Sequence, residues 1–113
     1  MLLTEVQKII AEQVALSDMV YAIENNFCIA FNYDGGGMRT VEPKLIGNTK
    51  SGARGIRAFQ LTGNTKTGNN KWKIFLIDKM RNLKVLEKEQ APNRPNYNSS
   101  GDKEFLRIAK QQQ

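Results

Sequence analysis

The stretch FCIAFNYDGGG, residues 27–37, decides the fold class that the sequence predicts. Apolar and aromatic side chains recur at every second position from Phe27 to Tyr33, which is the period of a strand with one buried face. The glycines that follow supply the positive φ that a tight hairpin turn needs. Phosphate-binding loops are also glycine-rich, but no Gly-Lys-Ser/Thr follows here and no helix is predicted to begin. The stretch is interpreted as the first strand and turn of a β-hairpin.

Four more strands are predicted downstream, separated by turns rich in glycine and asparagine. Pro43 interrupts the second strand, and because proline cannot donate to a ladder it indicates an edge, a bulge or a bend. Five short strands at this spacing predict a mainly β member of the α+β class, with a small, strongly bent sheet or barrel. After the first, the predicted strands cover residues 38–46, 55–62, 71–77 and 83–87.

Helices are predicted at both ends. Apolar residues at helical spacing predict one helix from Leu3 to about Val14, and Ser17 is expected to cap a second. A helix-turn-helix is disfavoured because this second helix carries no Lys or Arg for DNA contacts. Asp102 is expected to cap a C-terminal helix after an extended linker. The predicted organisation is an N-terminal helix at 1–16, a β domain at 17–90, and a linker with a last helix at 91–113.

The basic charge is concentrated in the middle of the chain. The 113 residues carry a net charge of +6, and residues 39–84 alone hold eleven basic and two acidic residues. Such a block favours a polyanionic partner, such as nucleic acid, a nucleotide or an acidic protein face. A solubilising surface explains the same charge, and composition leaves both interpretations open.

Several function classes are disfavoured by composition. There is no histidine and only one cysteine, Cys28, which excludes His-based triads, His-containing metal sites and an intrachain disulfide. Asp78 has no partner carboxylate nearby, so it is interpreted as a turn residue. No membrane-spanning stretch or signal peptide is recognised. We expect a cytoplasmic, non-enzymatic protein without a cofactor or metal.

From Met19 onward the sequence resembles the WYL domain, a ligand-sensing module of bacterial transcription regulators. The most specific matches are the run Arg39-Thr40-Val41-Glu42-Pro43 and the pattern Lys-x-Phe-x-x-Asp-Lys-Met that begins at Lys73. The resemblance implies an SH3-like or Sm-like β-barrel preceded by a helix. The chain resembles short stand-alone versions found in phages and bacteria, which lack the winged DNA-binding domain.

The resemblance also implies a basic pocket for an anionic ligand, with single-stranded nucleic acid or a nucleotide as the usual candidates. By position the pocket residues are Arg39, Lys73 and Lys79, with Arg57 close to the place of the Trp-Tyr-Leu triplet, which is absent here. Lysine at two arginine positions keeps the charge but loses the planar fork that grips phosphate. Tyr33 and Trp72 could stack on bases, or could fill the core.

Two functions follow from these features. The first is a binding module for an anionic ligand, acting as a regulatory or accessory factor. The second is an interaction or structural protein that uses the barrel as a scaffold. In that case the N-terminal helix and the C-terminal segment would dock on other subunits, such as a polymerase, a phage particle or a second copy of the chain.

Overall fold

The alternating residues from Phe27 to Tyr33 form a strand in the computed structural model. The structure describes residues 5–63, 68–91, 94, 97 and 101–112. The hairpin turn is confirmed, because Asp34, Gly35 and Gly37 all have positive φ and the Gly36 amide donates to the Tyr33 carbonyl. The elements are α1 (Glu5–Asn25), β1 (Phe27–Tyr33), β2 (Met38–Thr49), β3 (Arg54–Gly63), β4 (Lys71–Leu76), a 3-10 turn η1 (Ile77–Lys79), β5 (Met80–Glu89) and β6 (Phe105–Gln111).

The described strands form one antiparallel sheet in the order β4-β3-β2-β1-β5, with β6 added to β2. One edge of the long strand β2 has two partners, since residues 38–41 pair with β1 and residues 45–49 pair with β6. The irregularity predicted at Pro43 is confirmed as a register shift against β3. The α+β, mainly β class is confirmed; the sheet is open in this order, and the SH3-like or Sm-like barrel stays a prediction.

The hydrophobic core lies between α1 and one face of the sheet, which we call the inner face. Met19, Ala22 and Ile23 of α1 are fully buried against it. Large apolar side chains of the strands meet them because they alternate toward the same side. The strand residues of this core include Ile29, Phe31, Val41, Ile46, Ile56, Ala58 and Phe75.

Two helix predictions are wrong. A single helix, α1, runs from Glu5 to Asn25, so Ser17 lies inside it rather than at a cap, and the domain boundary drawn at residue 16 falls within this helix. The predicted C-terminal helix is strand β6. Its partner explains the difference, because Gly47 has no side chain and lets the β6 backbone approach β2 closely. A Cβ at Gly47 would lie only 2.0 Å from the Arg107 carbonyl oxygen.

The buried side chain of Lys44 links the C-terminal ends of β5 and β6, at the register shift that follows Pro43. Lys44 is only 5% exposed, and its ammonium donates to the side-chain oxygens of Gln90 and Gln112. Burial lowers the pKa of Lys44. These two amides satisfy a charge that would otherwise be costly to bury.

No helix among the described residues is long and apolar enough to cross a membrane.

Candidate anion-binding site

Arg39 lies at the end of the inner face, over two aromatic rings. In the pairing of β1 with β2, Arg39 lies opposite Phe31. The guanidinium carbon is 5.2 Å from the centre of the Tyr33 ring and 5.8 Å from that of Phe75. Contacts of this kind stabilise a cation electrostatically, by about 0.5–1 kcal/mol where water reaches them. The two rings hold the guanidinium without neutralising its charge.

The Tyr33 ring is fixed by its own contacts. Its hydroxyl accepts a hydrogen bond of 3.0 Å from the Leu76 amide. Its ring packs edge-on against Phe75, with centres 5.0 Å apart. The aromatic support beneath Arg39 is therefore held by β4 as well as β1.

Lys73 brings a second cation to the same face. It pairs with Ala58 of β3, and strand alternation places both on the side that carries Phe75. Burial lowers the pKa of the Lys73 ammonium, and the charges of Arg39 and Lys71 lower it further. The neighbouring positive charges thus oppose one another, and an anion between them would relieve the repulsion.

Two buried polar atoms near this end of the face have no hydrogen-bond partner among the described residues. They are Nε of Arg39 and Oε1 of Gln60. Gln60 is fully buried, and its amide nitrogen donates to Asn69 over 2.9 Å. An unpaired buried donor or acceptor costs about 1–3 kcal/mol. The Arg39 donor can therefore gain from an acceptor such as a phosphate or carboxylate oxygen.

Lys79 lies on η1, beside the hairpin turn rather than among the rings. Its ammonium is 3.9 Å from a carboxylate oxygen of Asp34, and both side chains are exposed. The Asp34 amide also donates to the Lys79 carbonyl over 2.8 Å. Lys79 is thus a peripheral charge in this structure, and an exposed pair of this kind contributes little to stability.

Arg57 and Trp72 lie on the opposite side of the sheet, the outer face. Each is the sequence neighbour of an inner-face residue, so strand alternation turns it away from Arg39. Arg57 donates to both carboxylate oxygens of Asp102, over 2.7 and 3.2 Å. Trp72 stacks on Tyr97, with ring centres 5.6 Å apart and planes 21° from parallel. The six predicted site residues are therefore divided between two faces.

The outer face is covered by the C-terminal strap, which we define as Ala91, Arg94, Tyr97 and residues 101–104. Arg94 donates to both carboxylate oxygens of Glu42, over 2.7 and 2.8 Å, and lies 4.4 Å from the centre of the Phe59 ring. The Ala91 amide donates to the same carboxylate. The strap is held by ion pairs and stacking.

The contacts between the strap and the sheet lower the pKa values of two carboxylates, Glu42 and Asp102. Burial alone would raise the pKa of Glu42, but the hydrogen bonds from Arg94 and Ala91 hold it below the ordinary value. Burial and the bonds from Arg57 and the Glu104 amide have the same opposed effects on Asp102, whose pKa is also lowered. Glu42 therefore forms its ion pair with Arg94.

Sequence reasoning missed the strap contacts and two inner-face residues. Phe75 belongs to the core and also supports Arg39, and no sequence pattern indicates this second contact. Gln60 carries a signal, because it is a polar residue that alternates with Ile56 and Ala58 along the predicted strand 55–62. Tyr97 and Asp102 carry no such sequence signal, because Tyr97 lies 25 residues from Trp72 and Asp102 lies 45 residues from Arg57.

Comparison with solved structures shows a likeness of fold. The fold is similar to part of proteasome accessory factor B/C (PafBC) of Arthrobacter aurescens, with a TM-score of 0.59 and 22% sequence identity. The match covers 76% of this chain and 13% of that protein. The likeness supports a WYL-like fold. No family model matches the sequence, and no curated protein matches it. Membership of the WYL family therefore stays a prediction.

Proposed function

We propose that the chain is a non-enzymatic, WYL-like binding module that takes an anionic ligand at Arg39 and Lys73. The ligand class is single-stranded nucleic acid or a nucleotide. The observation that carries the proposal is the pair of neighbouring cations on the inner face, with a buried Arg39 donor that lacks a partner among the described residues. A phosphate would relieve the repulsion and accept that hydrogen bond.

The aromatic rings support the same ligand class. Tyr33 is only partly buried and lies beside Arg39, so its ring is the one that a base could reach, while the buried Phe75 supports Arg39 from the core. Phosphate contacts give affinity and aromatic contacts tolerate different bases, which together suit single-stranded ligands. A regulatory or accessory role would follow from such binding.

The experiment is fluorescence anisotropy with labelled single-stranded DNA and RNA, at low and at physiological salt. We expect binding that weakens log-linearly with salt and is abolished by Arg39→Ala/Lys73→Ala. Lys84→Ala/Arg107→Ala removes the same charge from exposed positions on β5 and β6 and is the matched control. Equal binding by the two double variants, or none by the folded wild type at low salt, would reject the proposal.

Docking on another protein is the second candidate, and exposed apolar side chains favour it. Val6 on α1 is 65% exposed and Leu106 on β6 is 69% exposed. Phe105, the neighbour of Leu106 in this segment, is buried and is unsuited to docking. Docking of this kind would survive the Arg39→Ala/Lys73→Ala change and would be lost in Leu106→Ser, as measured by co-purification.

A further inference from the structure

A cavity of about 360 Å³ lies between the outer face and the C-terminal strap. On the sheet side it is lined by Leu45, Arg57 and Trp72, and on the strap side by Tyr97, Asp102 and Lys103. Gly101 completes the lining, and nothing lies within 4 Å of where its Cβ would be. The volume falls at the small end of the range for ligand pockets.

The lining combines a pair of stacked aromatic rings with a net positive charge. Trp72 and Tyr97 lie face to face with planes 21° from parallel, and the Phe59 ring meets Trp72 at 77°. A bound ring would contact the part of this stack that faces the cavity. Arg57 and Lys103 contribute two positive charges and Asp102 one negative charge, which leaves one positive charge in excess. A planar molecule with a single anionic group would complement both features.

The residues of the strap show which kinds of group bind to the outer face at the cavity. Tyr97 places an aromatic ring on Trp72, and Asp102 places a carboxylate on Arg57. Lys103 adjoins that carboxylate in sequence, and its side chain is exposed. With Arg57 already engaged by Asp102, the excess charge available to a further anion is that of Lys103.

We propose that the cavity between the outer face and the C-terminal strap binds a small aromatic anion, with its ring against Trp72 and Tyr97 and its charge near Lys103. This site is separate from the one at Arg39 and does not depend on the proposed function. The shared chemistry is an aromatic ring and one acidic group in the same small molecule. In aromatic carboxylates the group is attached to the ring, and in nucleoside monophosphates a ribose separates the two.

Trp72 makes the test direct, because it is the only tryptophan in the chain. Its fluorescence would be followed during titration with benzoate in one arm and adenosine monophosphate in the other, so that the arms separate carboxylate from nucleotide. Benzamide, which lacks the charge, and cyclohexanecarboxylate, which lacks the aromatic ring, are the ligand controls. We expect a saturable change with at least one aromatic anion and weaker binding of both controls.

The matched variants decide whether the cavity is the site. Lys103→Gln, at an exposed position, is expected to weaken binding about fivefold, the effect of one partly screened ion pair. Lys84→Gln removes an exposed charge from β5 and should bind as wild type does. No saturable change with either anion, equal affinity of Lys103→Gln and wild type, or equal binding of cyclohexanecarboxylate would overturn the proposal.

Discussion

The basic residues on the two faces of the sheet have different surroundings. On the outer face Arg57 is neutralised by Asp102, and the strap adds a second buried pair between Arg94 and Glu42. On the inner face Arg39 rests on aromatic rings and has Lys73 as a like-charged neighbour. The outer cations therefore hold the strap to the sheet, while the inner pair forms the anion site that we propose.

Acid has the largest expected effect on the outer face, because it neutralises Glu42 and Asp102, the two carboxylates that join the strap to the sheet. Glu42 and Asp102 have lowered pKa values in the folded protein, from ordinary values of 4.5 and 3.8. A depressed folded pKa gives stability that is present above the ordinary value and lost as pH falls through the lowered one. We expect the free energy of unfolding, measured with urea, to fall as pH is lowered below about 4.5. A stability that is constant down to pH 3 would contradict this.

Arg94→Ala breaks one of these pairs and leaves the buried Glu42 carboxylate without its cationic partner. Glu42 is 1% exposed. Removing the partner of a buried charge costs about 3 kcal/mol, and we expect a loss of that size in urea unfolding. Adding Glu42→Gln should restore part of the loss, because an amide tolerates burial better than a charge. A loss below about 0.5 kcal/mol, as expected of ordinary surface changes, would mean that the strap is not held as described.

Gly47→Ala tests the attachment of β6. The new methyl group would meet the Arg107 carbonyl and the Ile108 Cα, so β6 must shift away from β2. We expect a loss of about 2 kcal/mol, together with faster hydrogen exchange in β6 than in β1. Leu106→Ala changes an exposed β6 side chain and should leave exchange unaltered. Unchanged protection of β6 in Gly47→Ala would contradict the pairing.

Tyr97→Ala removes the ring that stacks on Trp72. We expect a loss of about 1 kcal/mol from the aromatic contact and a red shift of Trp72 emission as water reaches the indole. Tyr97→Phe keeps the ring and should keep the emission maximum. A wild-type emission spectrum in Tyr97→Ala would show that the strap does not cover this face in solution.

The inner face is expected to show the smallest effect on stability. Lys73→Met removes a charge that opposes Arg39, so the free energy of unfolding should stay within about 0.5 kcal/mol of wild type or rise slightly. Arg57→Met on the outer face leaves Asp102 without its partner and should lose about 1 kcal/mol or more. Equal losses in the two variants would remove the distinction between the faces.

The sequence predicts the strands well where local signals agree. Alternation from Phe27 to Tyr33, the glycine turn and the proline at 43 are all local, and they specify β1, β2 and the bulge. The residues of β6 also fit a helical pattern, and only the free edge of β2 beside Gly47 decides for the strand. Tertiary pairing overrides the local preference there.

The sequence predicts the part of the candidate site that depends on local signals, and it does not predict the contacts made by distant segments. The inner-face pair Arg39 and Lys73 follows from the resemblance, and alternation places Lys73 on the face of Phe75. Arg57 and Trp72 were grouped with them because sequence spacing does not reveal which face the strap covers. Their partners lie in the predicted linker and helix, where no local pattern indicates an ion pair or a stacked ring.

The most direct test of the division between the faces is an NMR titration of the labelled protein with a short single-stranded oligonucleotide at low salt. We expect saturable shifts at the amides of Arg39, Lys73 and Tyr33, while the indole signal of Trp72 stays in place. Shifts centred on Trp72 and Arg57, with Arg39 and Lys73 unmoved, would contradict the assignment of ligand binding to the inner face.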